Sequence, residues 1–129
     1  MLADDPMGPP KALRVLVIDD DIDGADTLAE LLMSIGHEVK VAYDGTVGLA
    51  LDAEWQPHVV FLDLGLPTLD GYEVARQLRA RGPESRRILA LSGFAQRSDQ
   101  ERSQSAGCHR HLVKPVKLSD ILQALAELS

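Results

Sequence analysis

Four short apolar runs in this sequence end in side chains that could act together. Asp19-Asp20-Asp21 follow Val15-Leu16-Val17-Ile18, and Asp63 follows Val59-Val60-Phe61-Leu62. Ser92-Gly93 follow Ile88-Leu89-Ala90-Leu91, and Lys114-Pro115 follow His111-Leu112-Val113. Carboxylates brought together repel: unit charges about 4 Å apart interact by roughly 4 kcal/mol at an effective dielectric near 20. Such a cluster calls for a cation. An all-oxygen donor set suits a hard ion such as Mg²⁺, which keeps some of its waters, and no cluster of His and Cys competes for a softer metal. Lys114 adds a mobile ammonium that can meet a phosphoryl oxygen, and Ser92 adds a hydroxyl for another. A carboxylate nucleophile, a divalent ion, a cation and a hydroxyl donor are the parts needed to hold a phosphoryl group on an aspartate.

Each of these residues is ordinary by itself. An Asp after a strand often caps the next helix, a Lys before Pro is commonly a solvated loop residue, and Ser-Gly makes an unremarkable turn. Their joint placement carries the reading.

The elements that must position them follow from the pattern. The run Val59 to Leu62 suits a strand buried on both faces of a parallel sheet, which puts Asp63 at a carboxyl end, where open α/β sheets hold ligands. Strands are predicted over about Leu13–Ile18, Val39–Ala42, His58–Leu62, Arg87–Leu91 and Arg110–Val113. Between the first two lies a helix with Ile22, Ala25, Leu28, Ala29, Leu32 and Ile35 at helical spacing and Gly36 as its stop. A second helix covers Val47–Trp55 after the turn Asp44-Gly45 and closes at Pro57. A third starts near Gly71, with Val74 and Leu78 inward, and ends at Gly82-Pro83. The polar segment Ala95–Ser105 has the weakest amphipathic pattern, and the last helix is predicted from a Ser119 cap to Leu128, with Ile121, Leu122, Leu125 and Leu128 on one face. Five strands alternating with five helices predict a doubly wound α/β fold, flavodoxin-like, its parallel sheet ordered second, first, third, fourth, fifth.

At 129 residues the chain is expected to be one domain. The Pro-rich residues 1–11 read as a flexible tail before a domain over 12–129, with no second domain or linker expected. A net charge of −7 argues against nucleic-acid binding. No apolar run approaches the roughly 20 residues that span a bilayer, and no signal peptide is legible, so a cytoplasmic protein is expected. The single cysteine, Cys108, excludes an intrachain disulfide and reads as a small buried hydrophobe.

From about Leu13 to Leu128 the chain resembles a response-regulator receiver domain of two-component signalling. The matching residues are Asp19-Asp20, Asp63 in Phe-Leu-Asp-Leu-Gly-Leu-Pro with Asp70-Gly71 following, Ser92, and Lys114-Pro115. The segments Leu91–Phe94 and His109–Pro115 are similar to receivers that stand alone or are attached to hybrid sensor kinases. The resemblance implies that Asp63 accepts a phosphoryl group from a histidine kinase or a histidine phosphotransfer protein. It implies that Asp20 and Asp63 bind Mg²⁺ directly, that Asp19 acts at least through water, and that the main-chain carbonyl of Gly65 is a further ligand. Ser92 and Lys114 would contact the phosphoryl group and couple its arrival to a shift of the surface formed by the fourth helix, fifth strand and fifth helix. Homodimerisation is a further option, although Ala95–Ser105 offers no clear interface.

Two positions depart from the commonest pattern. His111 stands where many receivers carry Tyr or Phe, which calls inward rotation of an aromatic ring into question; a fixed surface histidine is favoured over one that swings. Gly65 removes a side chain at the mouth of the site. Three other readings compete with this one. A haloacid-dehalogenase-type phosphotransferase or phosphatase would want an acid/base carboxylate two residues after the nucleophile, where Gly65 cannot transfer a proton. A flavodoxin-like cofactor binder would want a phosphate loop where Asp19-Asp20-Asp21 would repel one. A receiver kept only as a binding platform would not need every acidic, hydroxyl and cationic position filled. A signalling module rather than an enzyme is therefore expected.

Overall fold

The computed structural model describes residues 12–66, 70–93 and 97–127, the side chains of 97–100 excepted. Strand and helix alternate: β1 (Arg14–Ile18), α1 (Ile22–Ser34), β2 (Glu38–Ala42), α2 (Gly45–Trp55), β3 (Val59–Asp63), α3 (Gly71–Arg81), β4 (Arg87–Ser92), α4 (Arg97–Ser105), β5 (Arg110–Val113) and α5 (Leu118–Ala126). The strands form one parallel sheet in the order β2-β1-β3-β4-β5, as the sequence predicts. Side chains alternate between the faces of a strand, and the inner strands are apolar at both parities, so both faces need cover. Val15, Val17, Phe61 and Leu91 pack with Leu28 and Leu32 of α1 and with Ile121 of α5. Leu16, Ile18, Leu62 and Ile88 pack on the other face with Leu49 of α2 and Val74 and Leu78 of α3. The predicted tail 1–11, Pro67, residues 94–96 and Leu128 lie outside the described residues.

Local chemistry sets the helix boundaries. Asp21 caps α1, its carboxylate accepting from the Gly24 N–H at 3.3 Å. Gly36, at φ 100°, takes the left-handed conformation that ends the helix. The second helix starts at Gly45, two residues before the predicted Val47, because the Asp44 carboxylate accepts from the Val47 N–H at 2.8 Å. Ser119 is not the cap of the last helix. It lies inside α5, which follows Lys117, and the Asp120 carboxylate reaches back to the Lys117 N–H at 3.3 Å. Two residues assigned to inner faces are exposed. Ile22 (55% exposed) sits in the first turn of α1, beyond the carboxyl ends of the strands, and Leu122 (47% exposed) lies beside rather than on the stripe of Ile121 and Ala124.

One glycine is required by packing. A Cβ on Gly71 would lie 2.5 Å from Leu64 Cα and 2.7 Å from Leu64 O, main-chain atoms that cannot step aside. Among the described residues a Cβ on Gly65 would meet only Asp63 Oδ1, at 3.5 Å. Gly71→Ala is therefore expected to lower stability by about 1–3 kcal/mol, the range for overpacking, while Gly65→Ala changes it little; denaturant midpoints compare the two.

At the amino ends of the strands a buried ion pair joins α2 to the start of β4. Arg86 Nη1 lies 2.5 Å from Asp52 Oδ1, with side-chain exposures of 1% and 2%. That oxygen accepts no well-directed hydrogen bond, so the pairing is by charge. Arg86 also donates from Nε to Pro57 O at 3.2 Å and from Nη1 to Leu78 O at 3.4 Å. Burial pushes the Asp52 carboxyl above its usual range, against the opposing pull of Arg86.

Candidate functional site

The register of the sheet assembles the site. Ile18 pairs with Leu62, so Asp19 and Asp63 emerge level with each other from adjacent strands. Asp63 pairs with Leu91 and Ser92 with Val113, which puts Ser92 one residue and Lys114 two residues further along the same edge. Main-chain bonds Asp19 N–H to Ala42 O, Leu64 N–H to Leu91 O and Lys114 N–H to Ser92 O hold these exits in place. The Lys114–Pro115 peptide bond is cis.

One carboxylate oxygen from each of Asp19, Asp20 and Asp63 lies within 4.8 Å of the others. Asp19 and Asp63 are buried and Asp20 is exposed. Lys114 Nζ bridges the buried pair, 2.8 Å from Asp19 Oδ2 and 3.3 Å from Asp63 Oδ2. The remaining oxygens are oriented by backbone: Asp19 Oδ1 accepts from Asp21 N–H at 3.0 Å, and Asp63 Oδ1 from Gly65 N–H at 2.9 Å. Asp21 is the member of the acidic triplet that serves as a helix cap.

The electrostatics follow from this crowding. Burial, with the adjoining Asp19, raises the Asp63 carboxyl above its usual range despite Gly65 N–H and Lys114. Burial alone would lower the Lys114 ammonium, but the carboxylates of Asp19 and Asp63 outweigh it and raise it. Among the described residues the carboxylates thus have one ammonium between them and an all-oxygen donor set, which suits a hard divalent cation. Beside Lys114 a cleft of about 400 Å³ opens between α1 and the β5–α5 loop, lined by Asp23, Thr27 and Val116 among others.

Ser92 and His111 form a second group. Ser92 Oγ is 2.7 Å from His111 Nε2, and His111 Nδ1 is 3.2 Å from Ser103 Oγ. His111 is half-buried, so part of its ring remains exposed, and it is held at both ring nitrogens. Ser103 was missed. It lies in α4, whose sequence Arg-Ser-Asp-Gln-Glu-Arg-Ser-Gln-Ser has no apolar residue to mark an inner face. Also unforeseen was Arg102, whose guanidinium stacks 3.9 Å from the Tyr72 ring centroid and lies 3.5 Å from the Asp70 carboxylate. Cys108 is buried, and burial pushes its thiol up to about 12, which keeps it protonated and unreactive.

Fold and site define a doubly wound α/β domain with an acidic, lysine-bridged pocket at its strand ends. The family model of the response regulator receiver domain matches residues 15–126. Response regulator MprA of Mycobacterium sp. (strain KMS) is 37% identical over 116 residues, covering 90% of this chain and 50% of that protein. Response regulator MprA of Mycobacterium bovis (strain BCG / Pasteur 1173P2) is 35% identical over 117 residues, covering 91% and 50%. The chain spans about half the length of these relatives. A CheY-like receiver domain protein from Methanospirillum hungatei JF-1 superposes with a TM-score of 0.84 at 26% identity, covering 91% of this chain and 93% of that one. Chemotaxis protein CheY4 of Vibrio cholerae gives 0.86 at 25% identity, covering 92% and 100%. The chain belongs to the response-regulator receiver domain family. Its class is that of two-component signalling domains rather than conventional enzymes, which sets aside the dehalogenase-type and flavodoxin-type readings. No described helix is long and apolar enough to cross a membrane.

Proposed function

We propose that Asp63 is the phosphoacceptor of a two-component phosphorelay. The observation that carries this is the Lys114 ammonium bridging Asp19 and Asp63 beside a third carboxylate at one sheet edge. Asp63 attacks phosphorus of a phosphohistidine, an acyl phosphate forms, and the N–P electron pair returns to the departing imidazole. Gly65 N–H fixes the carboxylate while this happens. Asp20 and Asp63 would hold Mg²⁺ directly, with Asp19 contributing at least through water and the Gly65 carbonyl as a further ligand. When bound, the ion offsets the charge gathered between the phosphoryl oxygens and the carboxylates. Lys114 exchanges its carboxylate partners for a phosphoryl oxygen, and Ser92 donates its hydroxyl to another, so that the α4–β5–α5 surface registers phosphorylation. The donor is a histidine kinase or a histidine phosphotransfer protein, and the setting is the cytoplasm. With a net charge of −7, the domain signals to protein rather than to nucleic acid.

Intact mass after incubation with Mg²⁺ and acetyl phosphate tests the reading: one labile phosphoryl group is gained, and none when the metal is chelated. No gain in either condition would contradict it. Lys114→Ala is expected to keep phosphoryl acceptance but to lose most of the phosphorylation-induced change in amide hydrogen exchange over α4 and β5. A variant that responds like the parent would contradict the coupling role of Lys114.

A further inference from the structure

Ser92, whose hydroxyl the sheet register places at the phosphoacceptor edge, is joined to α4 through an imidazole bonded at both nitrogens. A neutral imidazole offers one donor and one acceptor, whereas a serine hydroxyl can donate or accept. A chain Ser92–His111–Ser103 therefore runs in one direction at a time, and the histidine tautomer records which. Hydroxyl donors make shorter hydrogen bonds than N–H donors. The 2.7 Å contact at Nε2 fits Ser92 O–H donating to a bare nitrogen, and the 3.2 Å contact at Nδ1 fits N–H donating to Ser103 Oγ.

We propose that phosphorylation reverses this chain, moving the His111 proton from Nδ1 to Nε2, and that Ser103 is the positioning residue that receives the reversal in α4. The inference rests on Asp63 being the phosphoacceptor. Phosphoryl oxygens only accept, so a Ser92 hydroxyl that donates to one can no longer donate to Nε2. It keeps its bond to His111 by accepting from Nε2–H. The Nδ1 proton leaves to water, Nε2 takes one from water, and the ring stays neutral. Bare Nδ1 then accepts from Ser103 O–H. Ser103 is 2% exposed, and the apolar-free helix that carries it is tied by polar contacts, among them Arg102 over Tyr72 and beside Asp70. No ring rotation is needed, and a Phe or Tyr at position 111 could not do this.

The other three histidines supply internal references. Nδ1 of His37, His58 and His109 accepts a main-chain N–H from Leu13, Arg14 and Ile88 at 3.1, 2.9 and 3.2 Å, which fixes each as the Nε2–H tautomer. Nitrogen NMR of the ¹⁵N-histidine-labelled chain, with His111→Gln for assignment, should show a single Nδ1–H imidazole before phosphorylation. With Mg²⁺ and excess acetyl phosphate that ring should convert to Nε2–H while the other three stay put. Ser103→Ala should lose the Nδ1–H preference without losing phosphoryl uptake, and Ser103→Thr should restore it. A phosphorylated sample, verified by mass, in which His111 keeps its tautomer or becomes cationic would overturn the chain alone. Absence of any mass gain would overturn the phosphoacceptor reading and the chain with it.

Discussion

Asp63→Asn is expected to gain no phosphoryl group from acetyl phosphate and Mg²⁺, and at neutral pH to unfold at a higher denaturant midpoint than the parent. The first half follows from chemistry, since an amide lacks the anionic oxygen that attacks phosphorus. The second follows from crowding. Asp63 is buried beside Asp19, and its carboxyl is raised above 3.8 by that burial and that neighbour. A carboxyl raised by folding is ionised less readily in the native chain than in the unfolded one, so ionisation weakens the fold as pH climbs from 3.8 through the raised native value. The Asn variant does not ionise, while its Oδ1 can still accept from Gly65 N–H. Its advantage, on the order of 1 kcal/mol, is therefore absent below that window and complete above it. Saturating Mg²⁺ reverses the order by stabilising only the parent appreciably. A variant no more stable than the parent at pH 7 without metal would show that Lys114 already compensates the pair fully.

The largest loss of stability is expected at the opposite edge of the sheet. Arg86 and Asp52 are both buried, and removing either leaves the other charge in the core. Asp52→Ala or Arg86→Ala should each cost about 3–5 kcal/mol, whereas Asp52→Leu combined with Arg86→Met should cost far less than the sum, because a buried pair replaced by apolar groups is often near neutral. Arg86 also donates to Pro57 O and Leu78 O, so its removal should be the more damaging of the two. Denaturant unfolding of the two single variants and the double variant measures the coupling. Strict additivity would mean that the ion pair contributes nothing beyond packing.

Much of this was legible in the sequence because the governing signals were local. Apolar runs that stop at Asp19, Asp63, Ser92 and Lys114 give both the strands and the row of side chains at their ends, and parallel register then brings that row together. What was illegible depended on partners distant in sequence. Nothing in α4 marks Ser103 as inward, since its burial is decided by His111 on β5. The partners of His111 were illegible for the same reason: they come from β4 and α4, not from its own strand. Asp52 could have been found. It continues the inward stripe of Gly45, Gly48 and Leu49 on α2, and a charge on such a stripe demands a buried partner. The misplaced cap at Ser119 reflects a shorter choice, in which Asp120 reaching back to Lys117 N–H starts α5 without a serine.

The central claim is that Asp63 carries the phosphoryl group, and the most direct measurement is to trap it there. Borohydride reduces an acyl phosphate to the alcohol, turning a phosphorylated aspartate into homoserine, which peptide mass spectrometry can locate. After incubation with Mg²⁺ and acetyl phosphate, the account predicts homoserine at position 63 and at no other aspartate, and none when the metal is chelated. Homoserine at Asp19 or Asp20 instead, or no conversion in a chain whose mass shows a bound phosphoryl group, would contradict it.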